Sequence, residues 1–342
     1  MESKNQLHVS NAGKQSEGTD FFKTCFNVLN TLTGIGILSM PYAVSQGGWL
    51  SFMLLIIFGM ISCYTALLLE RCMNLNPNIK SYADIGDVAF GYKGRAMIAI
   101  FIYLEAFLIS VELLILEADN LEKLFPNMRF TIFGLKIGGK SCFVIFTALA
   151  ILPTTWLRNL GALAYISIGG VLLICFVAST IIYGTIVVLG YMMFGEQLKS
   201  QITLNLPTNT ISTKIAIYST IINPFTKYAI EISPITIAIE DKWHLCMTRP
   251  ISILIRTIIV ASSVLVALYI PYFAYIMAFI GAFLSVAITL LFPCLCYLKI
   301  NKAAKKFGLE LIIIMGILII GTFIGIQGTY NSVEKIVNQM KL

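Results

Sequence analysis

Charged residues are scarce in this sequence, and their scarcity excludes a soluble domain. Asp, Glu, Lys and Arg make up 12% of the 342 residues, about half of the roughly 25% found in soluble domains. Hydrophobic residues make up 58%, and the mean hydropathy is +0.85. Apolar runs of about 20 residues recur, and each is long enough to cross a hydrocarbon core of roughly 30 Å. The composition predicts an all-α polytopic protein embedded in the lipid bilayer.

Residues that build metal and catalytic sites are few or unsuitably spaced. The two histidines, His8 and His244, lie far apart, and the 8 cysteines contain no CxxC spacing, so we expect no metal site and no bound cofactor. No Ser/His/Asp constellation or phosphate loop is present, which argues against an enzyme. The net charge is +7, but no stretch interleaves aromatics with a dense basic face, so we expect no nucleic-acid partner.

The apolar runs divide the chain into a tail, a membrane domain and a second tail. Residues 1–22 are mostly polar and predict a disordered cytosolic tail, residues 23–330 form the membrane domain, and 331–342 form a short C-terminal tail. The membrane domain contains about nine candidate spans. They lie at 23–44, 49–69, 97–117, 141–156, 160–193, 211–239, 250–271, 273–298 and 309–330.

One candidate span, from Leu160 to Met193, is too long for a simple crossing. As a helix it would measure about 51 Å, at 1.5 Å per residue. A second crossing would need a turn, for which only Gly169-Gly170 and Gly184 are candidates. A single crossing leaves more Lys and Arg on the side of the N-terminal tail, which we take as cytosolic, so the positive-inside rule favours one tilted or kinked span.

The first span contains a weak place for a continuous helix, between Thr33 and Leu38. Gly34 and Gly36 disfavour helix, and Pro41 removes a backbone donor. A break at mid-membrane depth is tolerated where the freed amides and carbonyls line a cavity. Two such helix ends suit a zwitterion, because amides attract its carboxylate and carbonyls attract its cation. Close helix packing through small residues explains the glycines equally well.

Charged residues inside the spans are the second signal, because burying them is costly. Glu105 and Glu112 lie about two turns apart and share a helix face, so one of them can relay a proton. Alternatively, Glu112 and Glu117 lie close enough to the end of the span to reach the headgroups. Arg256 is near the start of its span, so we expect it to extend to the interface.

The sixth candidate span combines Asn223-Pro224 with a pair of opposite charges. Lys227 and Glu231 have the i, i+4 spacing that places a cation and a carboxylate on one helix face. The pair either neutralises itself as a structural element or takes part in coupling and gating. Asn223 can satisfy backbone groups that Pro224 leaves open.

Three separated motifs resemble one family of membrane proteins. They are NTLTGIGILSMPYAVSQGGW at 30–49, GYMMFGEQLKSQITLNLP at 190–207 and NPFTKYAIEISP at 223–234. Together they resemble the plant vacuolar-type members of the amino acid/auxin permease family, whose members carry an amino acid transporter transmembrane domain. The likeness covers about residues 21–330, and the motifs agree in order and spacing with the spans around them.

The resemblance implies a LeuT-type inverted-repeat fold in which the first and sixth helices are broken at the substrate site. It implies secondary active transport of small neutral amino acids by alternating access, coupled to protons or to sodium ions, and with protons favoured. It also favours the vacuolar membrane over the plasma membrane. The implied substrate-binding residues are Asn30, Thr33, Gly34, Ile35, Gly36, Ile37 and Leu38. The residues assigned to coupling or gating are Glu105, Asn223, Lys227 and Glu231.

The sequence departs from this family in the middle of the chain. Residues 164–171 resemble the family's fifth helix, whereas 172–184 resemble its seventh, so the sixth helix and its loops are expected to be missing near 170–173. The inverted repeat would then be incomplete. Glu112 and Glu231 also stand where the resemblance implies uncharged residues. An alternative function follows: a transport-inactive truncated isoform that binds or modulates full-length family members.

Overall fold

The computed structural model describes most of the chain, with gaps in the N-terminal region and in several loops. The described residues are 36–75, 79, 81–126, 130–132, 135–156, 168–207, 210–242, 249–270, 272–301, 304 and 308–341. The predicted tail at 1–22 and Asn30, Thr33, Gly34 and Ile35 lie outside them. Helices account for nearly all of the described structure.

The chain forms two compact units. One comprises Met1–Gly48 with Leu157–Ala216, and the other comprises Trp49–Trp156 with Ile217–Leu342. The first helix, α1 (Gly36–Leu75), contains a unit boundary at Gly48, where φ is 60° and ψ is −155°. This left-handed conformation favours glycine and interrupts the helix. The break agrees with the boundary that the sequence predicts between its first two spans.

In the first unit, the start of α1 packs against α5 (Ile168–Phe194). Gly190 allows this close approach, because a Cβ atom added there would lie 2.9 Å from the Cβ of Pro41 and 3.0 Å from the Cδ1 of Ile202. Helix α5 continues from Ile168 to Phe194 without a turn at Gly169-Gly170 or Gly184. Over these residues the structure fits a single crossing.

The second unit is built around a long helix, α3 (Tyr92–Leu124), which contacts α2 (Tyr82–Phe90) and α4 (Gly139–Thr155). Ser81 caps α2 in a capping box with Asp84. Gly86 lets α2 approach α3, since a Cβ atom there would lie 2.8 Å from the carbonyl oxygen of Gly94. A two-stranded antiparallel hairpin, β1 (Phe130–Ile132) and β2 (Leu135–Ile137), precedes α4, and the all-α prediction did not include it.

The remaining helices are α6 (Ile211–Lys242), α7 (Arg249–Tyr269), α8 (Phe273–Ile300) and α9 (Leu309–Met340). The middle of α8 is wound as π-helix over Ile280–Ser285 and Ala287–Leu291. Helix α9 continues through most of the residues assigned to the C-terminal tail. Aromatic residues of α3 and α8 pack together, with the rings of Phe101 and Phe292 5.1 Å apart.

Five helices in the described part of the chain are long and apolar enough to cross a membrane. They are Ser39–Leu75, Tyr92–Leu124, Pro250–Tyr269, Phe273–Ile300 and Leu309–Met340, and shorter apolar helices occur at Gly139–Thr155 and Ile181–Gln197. These helices agree with a polytopic membrane protein. The number of about nine spans and the LeuT-type repeat remain predictions.

Candidate functional site

The predicted substrate-binding motif lies at the edge of the described structure. Gly36, Ile37 and Leu38 have helical backbone at the start of α1, and the motif's other residues lie outside the described part. Immediately after the motif, Ser39 is only 2% exposed. Pro41, two residues further along, packs against Gly190. The motif therefore leads directly into a tightly packed helix pair, while the break itself stays a prediction.

A cluster of polar side chains lies in the second unit, halfway along three apolar helices. It consists of Glu105 on α3, Lys227 and Glu231 on α6, and Ser285 on α8, and we call it the Glu105 cluster. The hydroxyl of Ser285 donates a 2.5 Å hydrogen bond to Oε1 of Glu105. Glu231 follows Lys227 by four residues on α6, a spacing that places both side chains on one helix face. The structure thus joins Glu105 to Ser285, a residue not assigned to coupling, and it places Lys227 and Glu231 about one turn apart on α6.

The fourth assigned residue, Asn223, lies in α6, whose helical backbone continues through Asn223 and Pro224. Lys227 follows one turn later and is 5% exposed. Its ammonium nitrogen has no hydrogen-bond partner among the described residues. Both residues are described, and no ion pair within 4.0 Å joins this nitrogen to the carboxylate of Glu231. Lys227 and Glu231 are therefore neighbours on α6 that form no closed ion pair.

The cluster lies near the middle of its helices. Glu105 is about 20 Å along α3, given a rise of 1.5 Å per residue, and Ser285 has a similar position in α8. Ser285 ends the first π-helical stretch of α8, and Thr289 donates a 2.5 Å hydrogen bond to its carbonyl oxygen. Short π-helical stretches occur often at functional sites, and charged residues at this depth mark solute or ion pathways.

Two further carboxylates on α3 are buried rather than directed to the headgroups. Glu112 is 4% exposed and Glu117 is 0% exposed. Oε1 of Glu112 and both carboxylate oxygens of Glu117 have no hydrogen-bond partner among the described residues. The alternative that these residues reach the interface is therefore wrong for this structure.

Arg256 also differs from its expected position. It is 4% exposed, and its Nη1 donates a 2.5 Å hydrogen bond to the carbonyl oxygen of Thr155 at the end of α4. Its Nε lies 3.8 Å from Oε1 of Glu240, and Ser252 donates a 2.5 Å hydrogen bond to that oxygen. The side chain is therefore buried between helix ends rather than exposed, with a backbone carbonyl accepting its hydrogen bond and a carboxylate beside it.

Sequence reasoning missed Ser285, Glu240 and Ser252 as members of these networks. Serines are common in membrane helices, so nothing in the sequence distinguishes Ser285. The charge of Glu240 at the end of a predicted span was the one available signal. In the described part of the chain, His, Cys, Asp and Glu form no group of three that could hold a metal ion.

Comparison with known proteins agrees with the three motifs. The family model described as transmembrane amino acid transporter protein matches residues 17–178 and 168–334. The Arabidopsis thaliana protein called amino acid transporter AVT1I is 38% identical over 409 residues, covering 99% of this chain and 100% of the relative. Amino acid transporter AVT1J from the same plant is 37% identical, covering 93% and 92%.

The same relatives indicate how the chain differs from them. The alignment with AVT1I runs over 409 residues, which is longer than the 342 residues of this chain. The relative therefore contains residues that have no counterpart here. With both halves of its sequence matched by one family model and relatives aligned along nearly its whole length, the chain belongs to the transmembrane amino acid transporter family.

Proposed function

We propose that this protein is a secondary active transporter of small neutral amino acids that works by alternating access and is coupled to protons. The observation that carries the proposal is the family match over residues 17–178 and 168–334, together with relatives named as amino acid transporters. The Glu105 cluster supports a coupled mechanism, because charged side chains at the middle of apolar helices are costly and are retained mainly at functional sites.

The substrate site in this proposal is the motif from Asn30 to Leu38. Its backbone would supply amides for the substrate carboxylate and carbonyls for the amino group. Its side chains carry no charge, which favours a substrate whose own side chain is small and uncharged. The coupling residues are Glu105, Asn223, Lys227 and Glu231.

We also propose that the sixth helix of the family is missing near residues 170–173. Two observations support this: the two matched segments overlap at 168–178, and the alignment with AVT1I is longer than the chain. A chain without this helix would bind its substrate mainly through the first helix. The vacuolar membrane is the proposed location, and a fluorescent fusion expressed in plant cells tests it.

Uptake by the purified chain in proteoliposomes tests the proposed function. We expect saturable uptake of radiolabelled alanine that responds to a pH gradient, with much less uptake of lysine or glutamate. Gly36→Val should abolish uptake if the motif binds substrate. Gly59→Val is the matched control on the same helix, since a Cβ atom at Gly59 meets no other atom within 4 Å.

A folded protein that takes up no amino acid under any gradient would contradict the proposal. In that case the truncated-isoform alternative predicts that the chain co-purifies with a full-length family member and changes its transport rate. Sequencing the transcript across the codons for Gly170 to Leu173 would establish whether the cell makes the shortened chain.

A further inference from the structure

We propose that this protein binds one anionic phospholipid in a groove at the start of α3, with an acyl chain along the helix and the lipid phosphate at Lys93. The groove has a volume of about 340 Å³, and we call it the Lys93 groove. The residues that line it all belong to α3: Tyr92, Lys93, Ala96, Met97, Ile100 and Phe101. Lipid binding at this site does not depend on the proposed transport activity.

The Lys93 groove follows the part of α3 that leads from the membrane surface into the hydrocarbon core. Helix α3 is long and apolar enough to cross a membrane, and the groove covers about its first 14 Å. Tyr92 is exposed at the outer end, the position where aromatic side chains meet the headgroups. Met97 and Ile100, further along the groove, are also exposed. Exposed apolar side chains of this kind mark contact with a membrane, so an acyl chain fits this part of the groove.

Lys93 places a positive charge at the outer end of the groove. The residue is exposed, and it forms no ion pair within 4.0 Å with any described residue. Arg95, two residues later, is already engaged, since it lies 3.2 Å from Asp84 and 3.6 Å from Asp87 of α2. Lys93 is therefore the cation in the lining of the groove that can bind a phosphate.

Lys299, near the end of α8, adds a second positive charge close to the groove. Its ammonium nitrogen lies 6.0 Å from the centre of the ring of Phe90, the last residue of α2. The Cβ of Phe90 in turn lies 2.7 Å from the position that a Cβ atom would take at Gly94, the residue after Lys93. Phe90 therefore connects Lys299 to the segment of α3 that carries Lys93.

The register of α3 against α8 places the two lysines at one membrane surface. Ser285 donates a hydrogen bond to Glu105, and Phe292 packs against Phe101. Later residues of α8 thus contact earlier residues of α3, so the two helices run in opposite directions. The start of α3 and the end of α8 therefore lie on the same side of the membrane.

The charges at this surface favour an anionic lipid over a zwitterionic one. Arg95 and its two carboxylate partners carry one net negative charge, and the two lysines exceed it by one positive charge. A phosphatidylglycerol headgroup is negatively charged and neutralises this excess, whereas phosphatidylcholine has no net charge. The positive-inside rule assigns this surface to the cytosol, and the cytosolic leaflet is the one that carries anionic lipids.

Native mass spectrometry of the purified chain measures the affinity for the first bound lipid. We expect the wild type to bind phosphatidylglycerol more tightly than phosphatidylcholine with the same acyl chains. Lys93→Gln should weaken phosphatidylglycerol binding about fivefold, the factor that one lysine contributes near an anionic headgroup, and should leave phosphatidylcholine binding unchanged. Lys335→Gln changes an exposed lysine of α9, and it should bind both lipids like the wild type.

A second pair of variants tests the acyl-chain part of the groove and keeps both lysines. Ala96→Phe places a ring in the groove and should weaken phosphatidylglycerol binding, because the chain loses its place beside the helix. Ala99→Phe makes the same change at a residue of α3 outside the lining, and both alanines are half-buried. This control should bind phosphatidylglycerol like the wild type.

Inorganic phosphate, added as a competitor, separates a lipid site from a simple phosphate site. It should not displace phosphatidylglycerol, because it has no acyl chain to fill the groove. Equal affinity of the wild type for the two lipids, unchanged phosphatidylglycerol binding by Lys93→Gln, or complete displacement by inorganic phosphate would each overturn the proposal. Lys93 is exposed, so Lys93→Gln should fold normally, and its melting temperature without lipid checks this. A wild type that transports nothing would leave these lipid measurements decisive.

Discussion

The guanidinium of Arg256 binds the carbonyl oxygen of Thr155, a residue 101 positions earlier in the chain, at 2.5 Å. Thr155 is the last residue of α4, where backbone carbonyls lack helical partners and the helix dipole favours a cation. The same guanidinium lies beside the carboxylate of Glu240. One buried side chain thus connects the ends of α4 and α6 to the start of α7.

Replacing Arg256 by Met should destabilise the second unit strongly. The change removes a cation from beside the buried carboxylate of Glu240, and breaking a buried pair in this way costs about 3–5 kcal/mol. Thermal unfolding in detergent, followed by intrinsic fluorescence, measures the effect.

Arg71→Met is the matched control, because Arg71 forms a 2.8 Å pair with Glu310 but both side chains are substantially exposed, at 53% and 39%. Exposed pairs contribute little. If Arg71→Met loses as much stability as Arg256→Met, burial does not determine how much an arginine–carboxylate pair contributes to stability.

A second prediction concerns the packing of Gly190 in the first unit. In Gly190→Ala the new Cβ would meet Pro41 and Ile202 at 2.9 and 3.0 Å, so the helices must separate, and overpacking of this kind costs about 1–3 kcal/mol. Gly184→Ala on the same helix adds a Cβ with no atom within 4 Å, and it should be neutral or slightly stabilising. Equal melting temperatures for the two variants would contradict the packing described for α5.

Lys227→Met removes the counter-charge of the Glu105 cluster. We expect it to lower stability more than Lys214→Met, which changes an exposed lysine of the same helix. Glu231→Gln added to Lys227→Met should restore part of the loss, because it removes one of the two carboxylates that then lack a cation. A double variant whose loss of stability equals the sum of the losses in Lys227→Met and Glu231→Gln would mean that the two residues do not interact.

The sequence predicts the positions of several apolar helices, because each predicted span needs a minimum length of apolar residues. The segment at 141–156 is observed as Gly139–Thr155, and that at 250–271 as Arg249–Tyr269. The partners of buried polar groups could not be predicted in the same way. Ser285 lies 180 positions from Glu105, and the carbonyl that binds Arg256 belongs to the backbone, so no residue type indicates either contact.

The hydroxyl of Thr147 allows a test of whether buried polar groups of the second unit are needed for stability. Thr147 is 1% exposed, and its Oγ1 has no hydrogen-bond partner among the described residues. Leaving a buried polar group unsatisfied costs about 1–3 kcal/mol, and an apolar group of the same shape avoids this cost. Thr147→Val should therefore be neutral or stabilising by about 1 kcal/mol.

Thr236→Val makes the same chemical change at an equally buried site with the opposite expectation. Thr236 is 0% exposed, and its Oγ1 donates a 2.8 Å hydrogen bond to the carbonyl oxygen of Ser233. Losing this bond should cost about 0.5–1.5 kcal/mol. Melting temperatures measured side by side give the comparison. If Thr147→Val is the more damaging variant, the expectation is wrong, because the Thr147 hydroxyl then stabilises the folded protein.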